Sequence, residues 1–325
     1  MYKNKNNLIS VLIPSYNHRN YVQETIKSII NQTYENIELI VVDDGSKDDT
    51  YKKILELKEE CEKRFKRVHF ETKENEGTVA TFNKLVSLAK GEYIYFIASD
   101  DMIADVDALK IQAEFLDKNK KYCLVVGDNQ FIDSKDKICY WDEEQNIVYD
   151  KNKAKYLTFG ESLKAGRPDV DFSSKEFGKY QTFLTVNYIP NGYLIRKSTL
   201  DLIPKFTSEA PLEDYFLHLQ LSKYGKYKYI DKVLFSYRWH NFNTVKNREK
   251  IVSITEQTLD YEYKYIQKNI KLDRILRDVK ECIMYGMVYM DKGIPFLLQL
   301  KKFNSKEDKR TKILTIFGLK IVFSG

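Results

Sequence analysis

Leu8–Asn17 reads LISVLIPSYN, and the fold is decided there. Leu8–Pro14 is a nearly continuous apolar run, the pattern of a strand covered on both faces. A strand covered twice needs layers above and below it, and the following chain supplies them. Arg19–Ile30 carries Tyr21, Val22, Ile26, Ile29 and Ile30 at helical spacing. The alternation then repeats. Strands are expected at Ile37–Val42, Val68–Thr72, Tyr93–Ala98 and Tyr122–Gly127. Helices are expected at about Asp49–Phe65 (capped by Asp48 or Asp49), Thr78–Leu88 and Asp105–Asp117. Repeated strand–helix units predict an α/β fold with a mostly parallel sheet flanked by helices.

Ligands of such sheets bind outside the carboxyl ends of the strands. Those ends carry Pro14-Ser15-Tyr16-Asn17, Asp43-Asp44-Gly45-Ser46 and Ser99-Asp100-Asp101. Three polar clusters far apart in sequence thus converge on one sheet edge. Beyond residue 130 the periodicity weakens: Asp133–Thr185 is polar and aromatic-rich and reads as an insertion or lid-like segment. Order returns at Val186–Arg196, in a helix over Leu212–Tyr224 and in a strand over Tyr227–Trp239. From Arg248 to about Lys302 a helical region is expected, punctuated by Gly286, Gly293 and Pro295. The expected division is a catalytic domain over 1–245 and a C-terminal region over 246–325 that ends in a basic and apolar tail.

Composition narrows the classes. Of 325 residues, 43% are hydrophobic and 31% charged, which fits an ordinary folded core and excludes a disordered chain. No run approaches the ~20 apolar residues of a membrane-spanning helix, and no secretory signal is visible at the N-terminus. Cys61, Cys123, Cys139 and Cys282 form no C-x-x-C pair, which argues against structural zinc and disulfides and for a reducing cytoplasm. Lys301–Lys320 holds seven basic against two acidic residues, so it carries +5 of the overall +6. The charge belongs to the tail, and no nucleic-acid footprint follows from it.

Two carboxylates at a strand end, Asp100 and Asp101, repel one another unless a cation or donor groups intervene. Carboxylate oxygens suit Mg²⁺ or Mn²⁺ bridging to phosphates; the other reading is a solvated turn or helix cap. Asp43-Asp44 is either a turn or a carboxylate that accepts the imide N–H of uracil or thymine, with Tyr16 pressed on the base. Asn75-Glu76-Gly77 opens a helix, where Gly77 permits close backbone approach. Glu213-Asp214 is either a helix start favoured by the dipole or the source of a general base for an attacking hydroxyl. Arg238 and His240 together would meet a diphosphate or a metal; a packed histidine is the alternative.

Taken in order, LISVLIPSYN (Leu8–Asn17), IVVDDGSKDDT (Ile40–Thr50), Asn75-Glu76-Gly77, Asn83, GEYIYFIASDD (Gly91–Asp101), LEDY (Leu212–Tyr215) and YRWH (Tyr237–His240) form a recognisable series. Over about residues 8–245 the chain resembles the family 2 glycosyltransferases, which have a GT-A nucleotide-sugar-binding fold. The resemblance implies an inverting transfer from a UDP-sugar to a hydroxyl of a glycan or lipid-linked glycan. It also implies that Pro14, Ser15, Tyr16, Asp43 and Asp44 hold the uridine, flanked by Asn75 and Gly77. Asp100 and Asp101 would form the acidic motif for Mn²⁺ or Mg²⁺, with His240 reaching metal or phosphates and Asp100 also facing the nucleotide. Asp214 would be the catalytic base supported by Glu213, and Asn191 and Gly192 would shape the acceptor side. One departure is visible: Ala98 stands where many members have an acidic residue.

Two other classes are weighed. A nucleotidyltransferase should show a glycine-rich phosphate loop after the first strand, and PSYNHRN has no glycine. A non-catalytic nucleotide-sugar-binding module would have no need of both the Asp pair and the base candidate. The expected setting is bacterial surface-glycan assembly such as capsule or lipopolysaccharide. The enzyme would be cytoplasmic; its basic and apolar tail is either held at the anionic inner face of the membrane or a terminal strand or helix that packs on the body or forms a dimer contact.

Overall fold

A computed structural model describes residues 7–168, 170–241 and 243–266, together with the backbone of 288–290, 299–302, 312–316 and 319–323. The main sheet contains β1 (Ile9–Ser15), β2 (Ile37–Asp43), β3 (Arg67–Thr72), β4 (Tyr93–Phe96), β5 (Met102–Ile103), β6 (Tyr122–Ile132), β7 (Ile138–Trp141), β8 (Ile147–Val148), β9 (Tyr193–Arg196) and β10 (Lys226–Arg238). Its order is β3-β2-β1-β4-β9-β6-β10-β5, with the β7–β8 hairpin attached to β6. Strands β1 to β4 pair in parallel, as do β6 and β10. Strand β9 runs antiparallel between β4 and β6.

Alternation along the buried strands builds the core on both faces. Ile9, Val11, Ile13, Leu39 and Val41 join one apolar cluster, while Leu12, Ile40 and Val42 join the other. Each cluster is covered by helices, including Val22–Ile30 and Ala108–Lys118 on one side and Thr78–Leu88 on the other. The chain leaves β1 between β2 and β4, so the loops beyond these strands diverge. A crevice at such a switch point is where an open α/β sheet binds its ligand.

Several expectations are corrected. The helix expected over Asp49–Phe65 is two helices, Thr50–Leu55 and Lys58–Arg64, and Asp48 rather than Asp49 caps the first by accepting the Thr50 N–H at 3.0 Å. Asp133–Thr185 is not a lid. It contains the β7–β8 hairpin and helices Phe159–Gly166 and Tyr180–Phe183. Its aromatic residues are core: Trp141 stacks on Phe131 with ring centroids 4.0 Å apart, and Phe159, Phe172, Phe177 and Phe183 are buried with them. Aromatic packing of this kind follows no helical or strand period, which is why the segment reads as irregular.

The C-terminal expectation also changes. Helix occupies Arg248–Ile266. Beyond it the described residues are strands, β11 (Val288–Met290), β12 (Gln299–Lys302), β13 (Lys312–Ile316) and β14 (Leu319–Phe323), in an antiparallel sheet of order β11-β14-β13-β12. The β-branched residues Ile313, Thr315, Ile316, Ile321 and Val322 favour this pairing over helix. Cys61, Cys123 and Cys139 are free and buried, and Cys282 lies outside the described residues. Among the described residues no helix is long and apolar enough to cross a membrane.

Candidate active site

A cleft of about 730 Å³ lies at the carboxyl ends of β1, β2 and β4. Pro14, Ser15, Tyr16, Asp44, Asp100, Asp101, Asn191, Gly192, Glu213, Asp214 and His240 all line it. Asp43, Asn75 and Gly77 do not line it. Asp43 ends β2 and accepts hydrogen bonds from the Ser46 N–H (3.1 Å) and the Thr72 hydroxyl (2.9 Å), which brace the turn. Gly77, at φ +87°, donates its N–H to Asp44 at 2.9 Å. Asn75 is exposed, and its backbone N would lie 2.8 Å from a Cβ added to Gly45.

Asp44 is prepared as a fixed anion. Burial disfavours its charge, but Lys73 pairs with it and the N–H groups of Glu76 and Gly77 point at it. Together they hold its carboxyl below the ordinary value. Beside it, Tyr16 is 43% exposed, an aromatic face presented to the cleft.

The Asp pair is fixed by the far end of the sheet. Asp100 and Asp101 lie between β4 and β5, and β5 pairs antiparallel with β10, setting Met102 opposite Ser236. The last residue of β10, Arg238, is fully buried. Its backbone N–H donates to Asp101 Oδ1 at 2.9 Å, and its guanidinium donates to the Asp100 and Asp133 carbonyls at 2.5 and 2.8 Å and pairs with Asp136. Two residues on, His240 Nε2 lies 3.0 Å from Asp100 Oδ2. His18, from the loop after β1, brings Nε2 to 3.7 Å of the same oxygen and is oriented by Ser99 Oγ, 2.8 Å from its Nδ1.

The two carboxyls are driven apart electrostatically. Burial opposes the charge on Asp100, yet His240 and His18 hold its carboxyl below the ordinary value. Burial, and then the neighbouring Asp100 charge, push Asp101 well up. The Asp100 carboxylate is an oxygen donor of the kind that suits Mn²⁺ or Mg²⁺ completed by phosphate oxygens and water. Among the described residues no three acidic, histidine or cysteine side chains already close around an ion site.

On the same cleft, helix Glu213–Leu221 begins with the second acidic pair. Asp214 accepts from Asn187 Nδ2 at 2.9 Å and from the Tyr215 N–H at 2.6 Å. Burial pushes the Asp214 carboxyl up against these two bonds, and burial followed by the Asp214 charge pushes Glu213 up to about 7. A carboxylate held by two donors but raised in proton affinity has the properties of a general base. Gly192 (φ +79°) lets the chain turn under Phe235, whose ring would lie 2.4 Å from an added Cβ, and Gln112 donates to the Gly192 carbonyl at 2.7 Å.

Sequence reasoning missed His18, Tyr21, Asn187 and the anchoring role of Arg238. Tyr21 stacks on His240 (centroids 5.2 Å) and lies under the Arg238 guanidinium at 4.7 Å. The one available signal was the position of His18 in the loop PSYNHRN, directly after a strand that ends at the cleft. Asn83, part of the recognised series, clamps the Phe206 backbone at 2.8 and 3.0 Å and stays off the cleft wall.

Residues 10–167 match the family described as "Glycosyl transferase family 2". An uncharacterized glycosyltransferase of Rickettsia conorii is 43% identical over 111 residues, 34% of this chain and 17% of that protein. The putative teichuronic acid biosynthesis glycosyltransferase TuaG of Bacillus subtilis is 34% identical over 151 residues, 43% of this chain and 58% of its own length. The chain therefore spans less than two thirds of either relative. Glycosyltransferase GlyG of Streptococcus pneumoniae is 26% identical over 305 residues, 91% of this chain and 87% of that protein. Among solved structures, S. aureus TarS 1-349 in complex with UDP-GlcNAc superposes with a TM-score of 0.57 at 18% identity. The overlap covers 86% of this chain and 73% of that one, a likeness of fold.

Proposed function

The chain belongs to glycosyl transferase family 2 and has its GT-A fold, and we propose that it transfers a sugar from a UDP-sugar to a hydroxyl of a glycan or lipid-linked glycan, with inversion at the anomeric carbon. The observation that carries this reading is that two acidic pairs, Asp100/Asp101 and Glu213/Asp214, line one cleft. Surface-polysaccharide assembly is the setting suggested by the B. subtilis relative, a putative teichuronic acid biosynthesis glycosyltransferase.

Tyr16 and Asp44 would hold the uracil ring, Tyr16 by its face and Asp44 by accepting the imide N–H. Asn75 and Gly77 would support this subsite from behind. Asp100 and His240, with Asp101 and His18 beside them, would hold Mn²⁺ or Mg²⁺. Such an ion offsets charge on a diphosphate leaving group. Asp214 takes the proton of the acceptor hydroxyl as that oxygen attacks the anomeric carbon from the face opposite the diphosphate. The C–O bond to the diphosphate breaks, and UDP leaves with that bond's electron pair. Asn187 keeps one Asp214 oxygen oriented, and Glu213 would support it from the adjacent position. Asn191 and Gly192 would shape the acceptor side. The basic tail would keep the enzyme at the cytoplasmic face of an anionic membrane, close to a lipid-linked acceptor.

Release of free UDP from a panel of UDP-sugars tests the reading. Wild type is expected to release it in the presence of acceptor, and Asp214→Asn to lose ~10²–10⁴-fold in turnover with UDP affinity unchanged. Release of pyrophosphate from UTP would instead indicate a nucleotidyltransferase. No release from any donor would indicate a binding module.

A further inference from the structure

A second cavity of about 100 Å³ opens beside the cleft at Asp214. Asn191, Asp214, Tyr237 and Val245 are common to both spaces, so the small cavity is a side chamber of the large one. Its remaining walls are Asn187 and the apolar side chains of Phe159, Leu163, Ile189, Leu212 and Ile251. The chamber lies at the base candidate, and none of His18, Arg238 and His240 lines it.

We propose that this chamber is a subsite for the acetamido group of an N-acetylhexosamine whose reacting centre sits at Asp214. The proposal rests on the glycosyltransferase reading above. Size is the first argument. At the ~30 Å³ that a water molecule takes in the liquid, the chamber holds about three to four non-hydrogen atoms. An acetamido group has four; a ring hydroxyl or a deoxy-sugar methyl leaves most of the space empty.

Chemistry is the second argument. Apolar walls favour a methyl group, and a hydroxyl would find a partner only at the chamber's polar edge. The same chamber is edged by amides, and the Asn187 side-chain oxygen is buried with no hydrogen-bond partner among the described residues, while its NH₂ is committed to Asp214. An acetamido N–H supplies the donor that this oxygen lacks, and the acetyl methyl fills the apolar end. A group that is half amide and half methyl matches a chamber divided in the same way.

The group comes from either the donor or the acceptor sugar, and one experiment separates them. Saturation-transfer difference NMR is run on the full chain with Mg²⁺. The donor arm compares UDP-GlcNAc and UDP-GalNAc with UDP-glucose and UDP-galactose. The acceptor arm compares the methyl glycosides of the same four sugars in the presence of UDP. In one arm the acetyl methyl is expected to be the most strongly saturated sugar signal, and the N-acetyl ligand to bind at least ~10-fold more tightly than its hydroxyl counterpart. Ile189→Phe, which fills the chamber from a wall outside the main cleft, should abolish that difference and leave the uridine signals intact. Saturated uridine signals with no N-acetyl preference in either arm would overturn the subsite and leave the UDP-sugar reading standing. Absence of uridine signals would sink that reading and the subsite with it. If Ile189→Phe does not fold, the wild-type comparison alone decides.

Discussion

Glu213 and Asp214 are adjacent carboxyls whose proton affinities are raised by burial and, for Glu213, by the charge beside it. Glu213 rises from an ordinary 4.5 to about 7 in the folded chain. A raised folded-state value contributes stability below about pH 4.5 and loses it as pH climbs through 7. At pH 8 the wild type therefore carries the full cost of an ionised, half-buried Glu213. Glu213→Gln should be more stable than wild type at pH 8 by on the order of 2 kcal/mol and nearly equal to it at pH 4.5, measured by thermal unfolding. Equal unfolding temperatures at pH 8 would contradict the placement. These acidic pairs were legible because each stands at the start or end of a predicted element. Their partners were not: His240 meets Asp100 across 140 positions and Arg238 meets Asp101 across 137, contacts that no local pattern encodes.

Single elements explain where the reading of the sequence succeeded and where it stopped. Strands covered on both faces announce themselves as apolar runs, so β1, β2 and β4 were legible within a residue or two. Strand β6 runs on to Ile132 because its far half pairs with β10 and β7, and the polar residues Asp128, Asn129 and Gln130 hide that continuation. Arg238 shows what the end of β10 contributes. Its side chain joins the Asp100 turn to the segment entering β7, and it is buried with its charge paired to Asp136. Arg238→Met leaves the Asp100 and Asp133 carbonyls without this donor, while Asp136 is 44% exposed, and should cost about 2–6 kcal/mol, at about 1–3 for each buried group left unsatisfied. Denaturant unfolding measures it. A loss below 1 kcal/mol would show that the Asp turn does not depend on this side chain.

At the scale of the whole molecule, one sheet gathers the site and a second, antiparallel sheet carries the charged tail. The first was predictable because sequential strand–helix units permit few topologies. The second was not, since strands of only three to five residues give little period to read. The excess of Lys and Arg from Lys301 onward is the basis of the proposed membrane attachment. In flotation with anionic liposomes the full chain should rise with the vesicles, and a chain ending at Ser305 should stay behind at physiological salt. Equal flotation of both would remove the tail from the account.

The most direct test of the central claim is calorimetric titration of UDP, with Mn²⁺ present and absent, into wild type, Asp214→Asn and Asp100→Asn. The account predicts Mn²⁺-dependent binding that is equal in wild type and Asp214→Asn and at least ~10-fold weaker in Asp100→Asn, because carboxylates supply most of such an ion's protein ligands. UDP binding that ignores Mn²⁺, or that survives the loss of the Asp100 carboxylate unchanged, would contradict it.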